Sequence, residues 1–151
     1  MTEVCLRGQP GTDIRTELLA YETAQSALAA YEHREPFANS IAVDTVSLGA
    51  AISLLNDLSW YLARTTEETL LREPSVDDSE WLSRDLAERI RNGELEPAET
   101  GQYLKVYGLA DGALTEPMYL TRRDGSVPEY DLADVEETVR VRLTESEFAS
   151  G

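Results

Sequence analysis

The chain has 151 residues, 42% of them hydrophobic, and carries 29 acidic against 13 basic side chains, a net charge of −16. That is enough apolar material for one cored domain and too much for wholesale disorder. A single cysteine excludes an internal disulfide and any multi-cysteine metal site, and the acidity disfavours non-specific nucleic-acid binding.

The basic residues are one-sided: only Lys105 is a lysine, and the other 12 are arginines. A carboxylate-rich, lysine-poor surface stays soluble where salt screens ordinary charges, so salt adaptation is the expected setting. The alternative is an ordinary acidic protein from a GC-rich genome. There is no apolar run of about eighteen residues and no basic start followed by an apolar stretch, so a cytoplasmic location without membrane association is expected.

In chain order, Glu3 to Arg7 reads as a first strand, followed by a GQPG turn. That turn is too short for a phosphate-binding loop and lacks its lysine. Thr12 or Asp13 caps a helix to about Tyr31, with Ile14, Leu18, Tyr21, Leu28 and Tyr31 at helical spacing and Gln25 within the stripe. Pro36 breaks the pattern, and Ser40 to Val46 is a second strand. Ser47 to Arg64, SLGAAISLLNDLSWYLAR, is the most apolar helical pattern, with Thr45 or Ser47 as its cap. Leu48, Ala51, Ile52, Leu55, Leu58 and Leu62 share one face. Trp60 lies in the opposite, polar stripe with Asn56, Asp57 and Arg64.

Thr65 to Glu73 is a polar continuation that Pro74 ends. SVDDSEW opens a helix with Leu82, Leu86 and Ile90 as its stripe, Glu80–Arg84–Glu88 and Asp85–Arg89 as ion-pair spacings, and Gly93 just past its end. Pro97 starts a short fourth helix to Tyr107. Leu114 to Arg123 is a strand, with an Asp124-Gly125 turn and a return over Val127 to Tyr130. Glu137 to Thr144 alternates strictly and is a strand, and 145–151 is a flexible polar tail. The expected fold is a single α+β domain over 1–151, a small, mostly antiparallel sheet with about four helices packed on it. The alternative is α/β with strands one and two parallel.

The phrases DTVSLGAAISLLNDLSWYLAR, REPSVDDSEWLSRDLAERIRNGE and ETGQYLKVYG resemble a family of small, acidic, uncharacterised proteins from halophilic archaea, a domain of unknown function. The resemblance covers about residues 40 to 110. It implies a haloarchaeal cytoplasmic origin; its phrases are not chemical motifs, so no catalytic residue is carried over from it.

Two surfaces stand out. Trp60 is either packed under another helix, such as the one carrying Trp81, or presented to a partner with Arg64 stacked on it. Arg140 and Arg142 share a strand face, and Arg122 and Arg123 flank a turn. Together they form a phosphate or RNA-backbone patch, or else pair with Glu129, Glu136, Glu137 or Glu145. His33 sits in a polar break and reads as a loop residue, and Cys5 as a buried strand residue. A Cys5–His33 pair has nothing in the sequence to bring it together. A magnesium site of separated carboxylates, around Asp44 and Asp57 for instance, stays open. No catalytic residue, metal site or cofactor is assigned. The expected function is a non-catalytic regulatory or adaptor protein in a high-salt cytoplasm, acting on another protein or on itself through Trp60, Arg64, Asn56 and Trp81. The alternatives are an RNA- or ribosome-associated factor using Arg122, Arg123, Arg140 and Arg142, with no DNA binding expected, and a carboxylate-metal hydrolase.

Overall fold

The computed structural model describes residues 1–123, 125–128 and 137–150. It divides into two compact units, Met1–Leu71 and Arg72–Gly151. Among the described residues there are five α-helices and eight strands, so the class is α+β, with antiparallel pairing in the majority. No described helix is long and apolar enough to cross a membrane.

The first unit holds strands β1 (Thr2–Gly8), β2 (Ser40–Thr45) and β3 (Thr66–Arg72) in the order β2-β1-β3. The region expected as one helix to Tyr31 is two: α1 (Ile14–Leu19) and α2 (Glu22–Leu28), separated at Tyr21, which is extended at φ −83° and ψ 121°. A straight helix would have turned Gln25 to the core with Ile14, Leu18 and Leu28. The break leaves Gln25 exposed and buries Ala24 instead. Gly8 N–H donates to Asn39 O at 2.8 Å and the Asn39 amide donates to Gln9 O at 3.2 Å, so the chain enters β2 beside the point where it left β1. The two strands are therefore antiparallel, from Thr2↔Thr45 to Arg7↔Ser40, and the parallel alternative is wrong.

Helix α3 (Leu48–Thr65) starts at Ser47, whose hydroxyl accepts from Ala50 N–H, as the cap signal indicated. It buries Ala51, Ile52, Leu54, Leu55, Leu58 and Leu62 against β1, β2 and the two short helices. Each of those large side chains contributes about 1.5–3 kcal/mol of transfer free energy. The polar stretch after it is β3, whose Leu70 and Leu71 are fully buried.

The second unit holds β4 (Trp81–Ser83), β5 (Tyr103–Ala110), β6 (Ala113–Leu114), β7 (Met118–Thr121) and β8 (Glu137–Leu143). The order is β4-β8-β5-β6, with β7 also on β5. β4 and β8 are parallel; β5 runs antiparallel to β6, β7 and β8. The helix expected from SVDDSEW starts later. Asp77 Oδ2 accepts from Ser79 N–H and Glu80 N–H, closing a turn, and Ser83 caps α4 (Arg84–Arg91) by accepting from Leu86 N–H. Trp81 and Leu82 are strand residues, and Glu80 takes no part in the Arg84–Glu88 pair. Gly93, at φ +77°, ends α4 as read.

The fourth helix is absent as such. Pro97–Glu99 makes one 3-10 turn and the rest becomes β5, where Leu104 and Val106 alternate into the core. Asp111 and Gly112, with φ of 51° and 80°, make the tight turn to β6. Glu145–Ser150, expected as a tail, is helix α5, set against β5 and β8. The expected Asp124-Gly125 turn and the return to Tyr130 fall partly outside the described residues, where Glu129 and Glu136 also lie.

Candidate functional site

Two groups of side chains carry the chemistry, one in each unit. In the second unit, alternation along β8 sends Arg140 and Arg142 to the same face, and β4 brings Glu80 to meet them. Arg142 Nε donates to Glu80 Oε1 at 2.7 Å, and the Arg122 guanidinium donates to Oε2 at 2.5 Å. Arg140 reaches the same oxygen at 3.5 Å, and Arg142 also donates to Asp77 Oδ1 at 3.3 Å and to the Thr100 hydroxyl. Glu80 is 6% exposed. Its burial alone would push the carboxyl up, but the guanidiniums of Arg142 and Arg122 outweigh it and hold it below the usual carboxylate range. Asp77 is shifted the same way: burial opposes, and the N–H groups of Glu80 and Ser79 prevail.

Gly101 completes the cluster. Its φ is +95°, its carbonyl accepts from Arg122 Nη1 at 2.9 Å, and a Cβ there would meet Arg122 Nη1 at 2.6 Å and Arg142 Cζ at 3.1 Å. A glycine is needed for both reasons, conformation and close approach.

The arginine patch is thus assembled for Arg122, Arg140 and Arg142, but its guanidiniums are spent on Glu80 and Asp77. The pairing partners are not Glu137 or Glu145. Arg123 lies apart, exposed and bridged to Ser126. Sequence reasoning missed Glu80, Asp77 and Gly101. The available signal was the strand propensity of Trp81-Leu82, which places Glu80 at a strand's entry rather than inside a helix.

In the first unit Trp60 is 55% exposed, on the face of α3 away from the core. The Arg64 guanidinium lies 3.4 Å over its ring and donates to Trp60 O at 2.7 Å. Tyr21, delivered by the break between α1 and α2, meets Trp60 edge-on at 5.7 Å and Tyr61 at 5.1 Å. Trp60 and Tyr61 are themselves 5.1 Å apart. Asn56 is exposed one turn earlier on the same stripe. Trp81 is different: it is 3% exposed, belongs to the core of the second unit and has Arg72 at 4.3 Å over its ring. It offers no contact surface.

The remaining candidates are committed elsewhere. Cys5 is fully buried, and burial pushes its thiol up to about 12, so it stays protonated. His33 is half-buried rather than a free loop residue: Nε2 donates to Leu28 O at 2.8 Å and Nδ1 accepts from Arg15 Nη1 at 3.3 Å. Both ring nitrogens therefore have a partner. Asp44 is bound by both terminal nitrogens of Arg34, at 3.1 and 3.0 Å. Among the described residues no three His, Cys, Asp or Glu side chains are grouped to hold a metal ion.

Residues 2–109 match the model of a family of unknown function. The match includes Trp60, Asp77, Glu80 and Gly101 and stops before Arg122, Arg140 and Arg142. No curated protein and no solved structure matches the chain.

Proposed function

The chain belongs to that family, DUF5804, which assigns no activity, and we propose from the residues themselves that it is a non-catalytic regulatory or adaptor protein. It docks one protein partner through the face built by Tyr21, Trp60, Tyr61 and Arg64, in a high-salt cytoplasm. The observation that carries this is Trp60: a 55% exposed indole with a guanidinium laid on one face. Tryptophan, tyrosine and arginine are the types that concentrate binding energy in interfaces, because they bury large area at small entropic cost.

The rings are mutually packed, so the face is largely formed before a partner arrives. Arg64 has no carboxylate partner among the described residues, whereas Arg7, Arg34, Arg84, Arg89 and Arg142 all have one. A partner that suits the face brings an apolar anchor for the open side of Trp60 and a carboxylate for Arg64. The acidity and the single lysine support the high-salt setting. Because Glu80 and Asp77 hold Arg122 and Arg142, an RNA-binding role has less support.

The test is affinity capture at high salt with the native chain, Trp60→Ala and Arg64→Gln, together with molar mass by light scattering. A partner retained by the native chain and lost from Trp60→Ala supports the reading. The same proteins retained by all three overturns it, and a native dimer that Trp60→Ala dissolves reassigns the face to a second copy.

A further inference from the structure

The second unit contains a cleft of about 320 Å³ among α4, the Thr100–Tyr103 turn and the junction of β8 with α5. Its apolar wall is Leu86, Leu95 and Leu143. Arg89 of α4 and Glu145, the first residue of α5, are also in its lining. Arg89 makes one loose contact, Nε to Asp85 at 3.4 Å, and its two terminal NH₂ groups have no partner among the described residues. The Glu145 carboxylate, the Gln102 amide and the Tyr103 hydroxyl likewise have no side-chain partner among the described residues. This volume lies at the lower end of small-molecule sites; its lining is mostly polar, with Leu86 and Leu143 largely buried beneath it.

The charges select the ligand. A purely anionic molecule meets Glu145 and the neighbouring Glu99 unfavourably, and a purely cationic one meets Arg89. A zwitterion satisfies both. We propose that this cleft binds a free aliphatic α-amino acid, with its carboxylate on the open fork of Arg89, its ammonium toward Glu145, and its side chain against Leu86, Leu95 and Leu143. The fork geometry suits a carboxylate, which accepts two parallel N–H bonds. The site stands independently of the Trp60 face, and it gives the chain a small-molecule input in addition to a partner.

The experiment is calorimetric titration of the full chain with L-leucine, with the amine that lacks its carboxyl, and with the acid that lacks its amino group. The expected result is saturable leucine binding with both analogues weaker by about tenfold or more, the worth of one charge-assisted contact. Arg89→Gln and Glu145→Gln lower leucine affinity by a similar factor. Both positions are solvent-accessible, so the variants remain folded, which circular dichroism checks. Amide shifts on adding leucine are expected at Leu95, Gln102 and Ser146. No saturable binding at millimolar leucine overturns the proposal. So does binding that Arg89→Gln leaves unchanged, or an analogue that binds as well as leucine.

Discussion

Replacing Glu80 by glutamine keeps the shape of the side chain and removes its charge. In the native chain this carboxylate is 7% exposed as a side chain and faces Arg142 and Arg122, which are 10% and 19% exposed. The variant leaves Arg122 without its counter-charge and Arg142 with Asp77 alone. Removing one partner of a buried pair costs about 3–5 kcal/mol, and because glutamine still accepts one hydrogen bond we expect about 3 kcal/mol. Arg140, more exposed at 37% and 3.5 Å away, adds little. The assay is urea unfolding followed by far-ultraviolet circular dichroism at constant high salt.

The pH dependence has a definite sign. The native Glu80 carboxyl is held below its ordinary range, so its stabilisation is complete above the unfolded-state value of about 4.3 and is lost as pH falls through the folded value. The gap between native and Glu80→Gln is therefore widest at neutral pH and closes in acid. Arg142→Met also destabilises, and the double variant loses less than the sum, by about 1–3 kcal/mol of coupling. A Glu80→Gln variant within about 0.5 kcal/mol of native at neutral pH, a gap that widens in acid, or strict additivity would refute the reasoning.

Gly101→Ala places a methyl group against Arg122 and Arg142 in a φ of +95°, and its expected cost is about 1–3 kcal/mol by the same unfolding assay. The melting temperature should rise from low to molar potassium chloride, as screening shortens from about 10 Å at 0.1 M to about 3 Å at 1 M and 29 carboxylates stop repelling one another. A melting temperature indifferent to salt contradicts the salt-adaptation proposal. Cys5 should resist a thiol reagent at pH 8 in the folded chain and react on unfolding, since burial holds its thiol near 12. Rapid labelling of folded protein would show that β1 opens.

Local signals were legible where one element alone satisfied them. Ser47 and the apolar stripe of α3, the strand at β8, the cap at Asp13 and the stop at Gly93 all appear as read. Errors arose where tertiary packing overrode a local pattern. The stripe through Gln25 implied one helix, but the chain breaks at Tyr21 and Gln25 stays exposed, where its amide keeps its water. The acidic run Asp77–Glu80 resembled a helix start because carboxylates favour that end, yet Asp77 closes a turn and Glu80 is drawn to arginines about sixty residues later.

Polar β3 gave no alternation to read, because Leu70 and Leu71 are adjacent and both buried. Of the candidate surfaces, the stacking of Arg64 on Trp60 followed from four-residue spacing. Tyr21's part in it did not, since it depends on the helix break. The arginines of β8 and Arg122 were grouped correctly, but the carboxylates that neutralise them lie outside any local window.

The central claim is that the Trp60 face receives a protein. The most direct test places the photo-crosslinking residue p-benzoylphenylalanine at Ala63, exposed and three positions on from Trp60 along α3, with Glu94 of the second unit as the control position. Illumination in cells should join this chain to one other protein from position 63 and not from position 94, and adding Trp60→Ala should abolish the adduct. Identical adducts from both positions, or an adduct that survives Trp60→Ala, would contradict the claim.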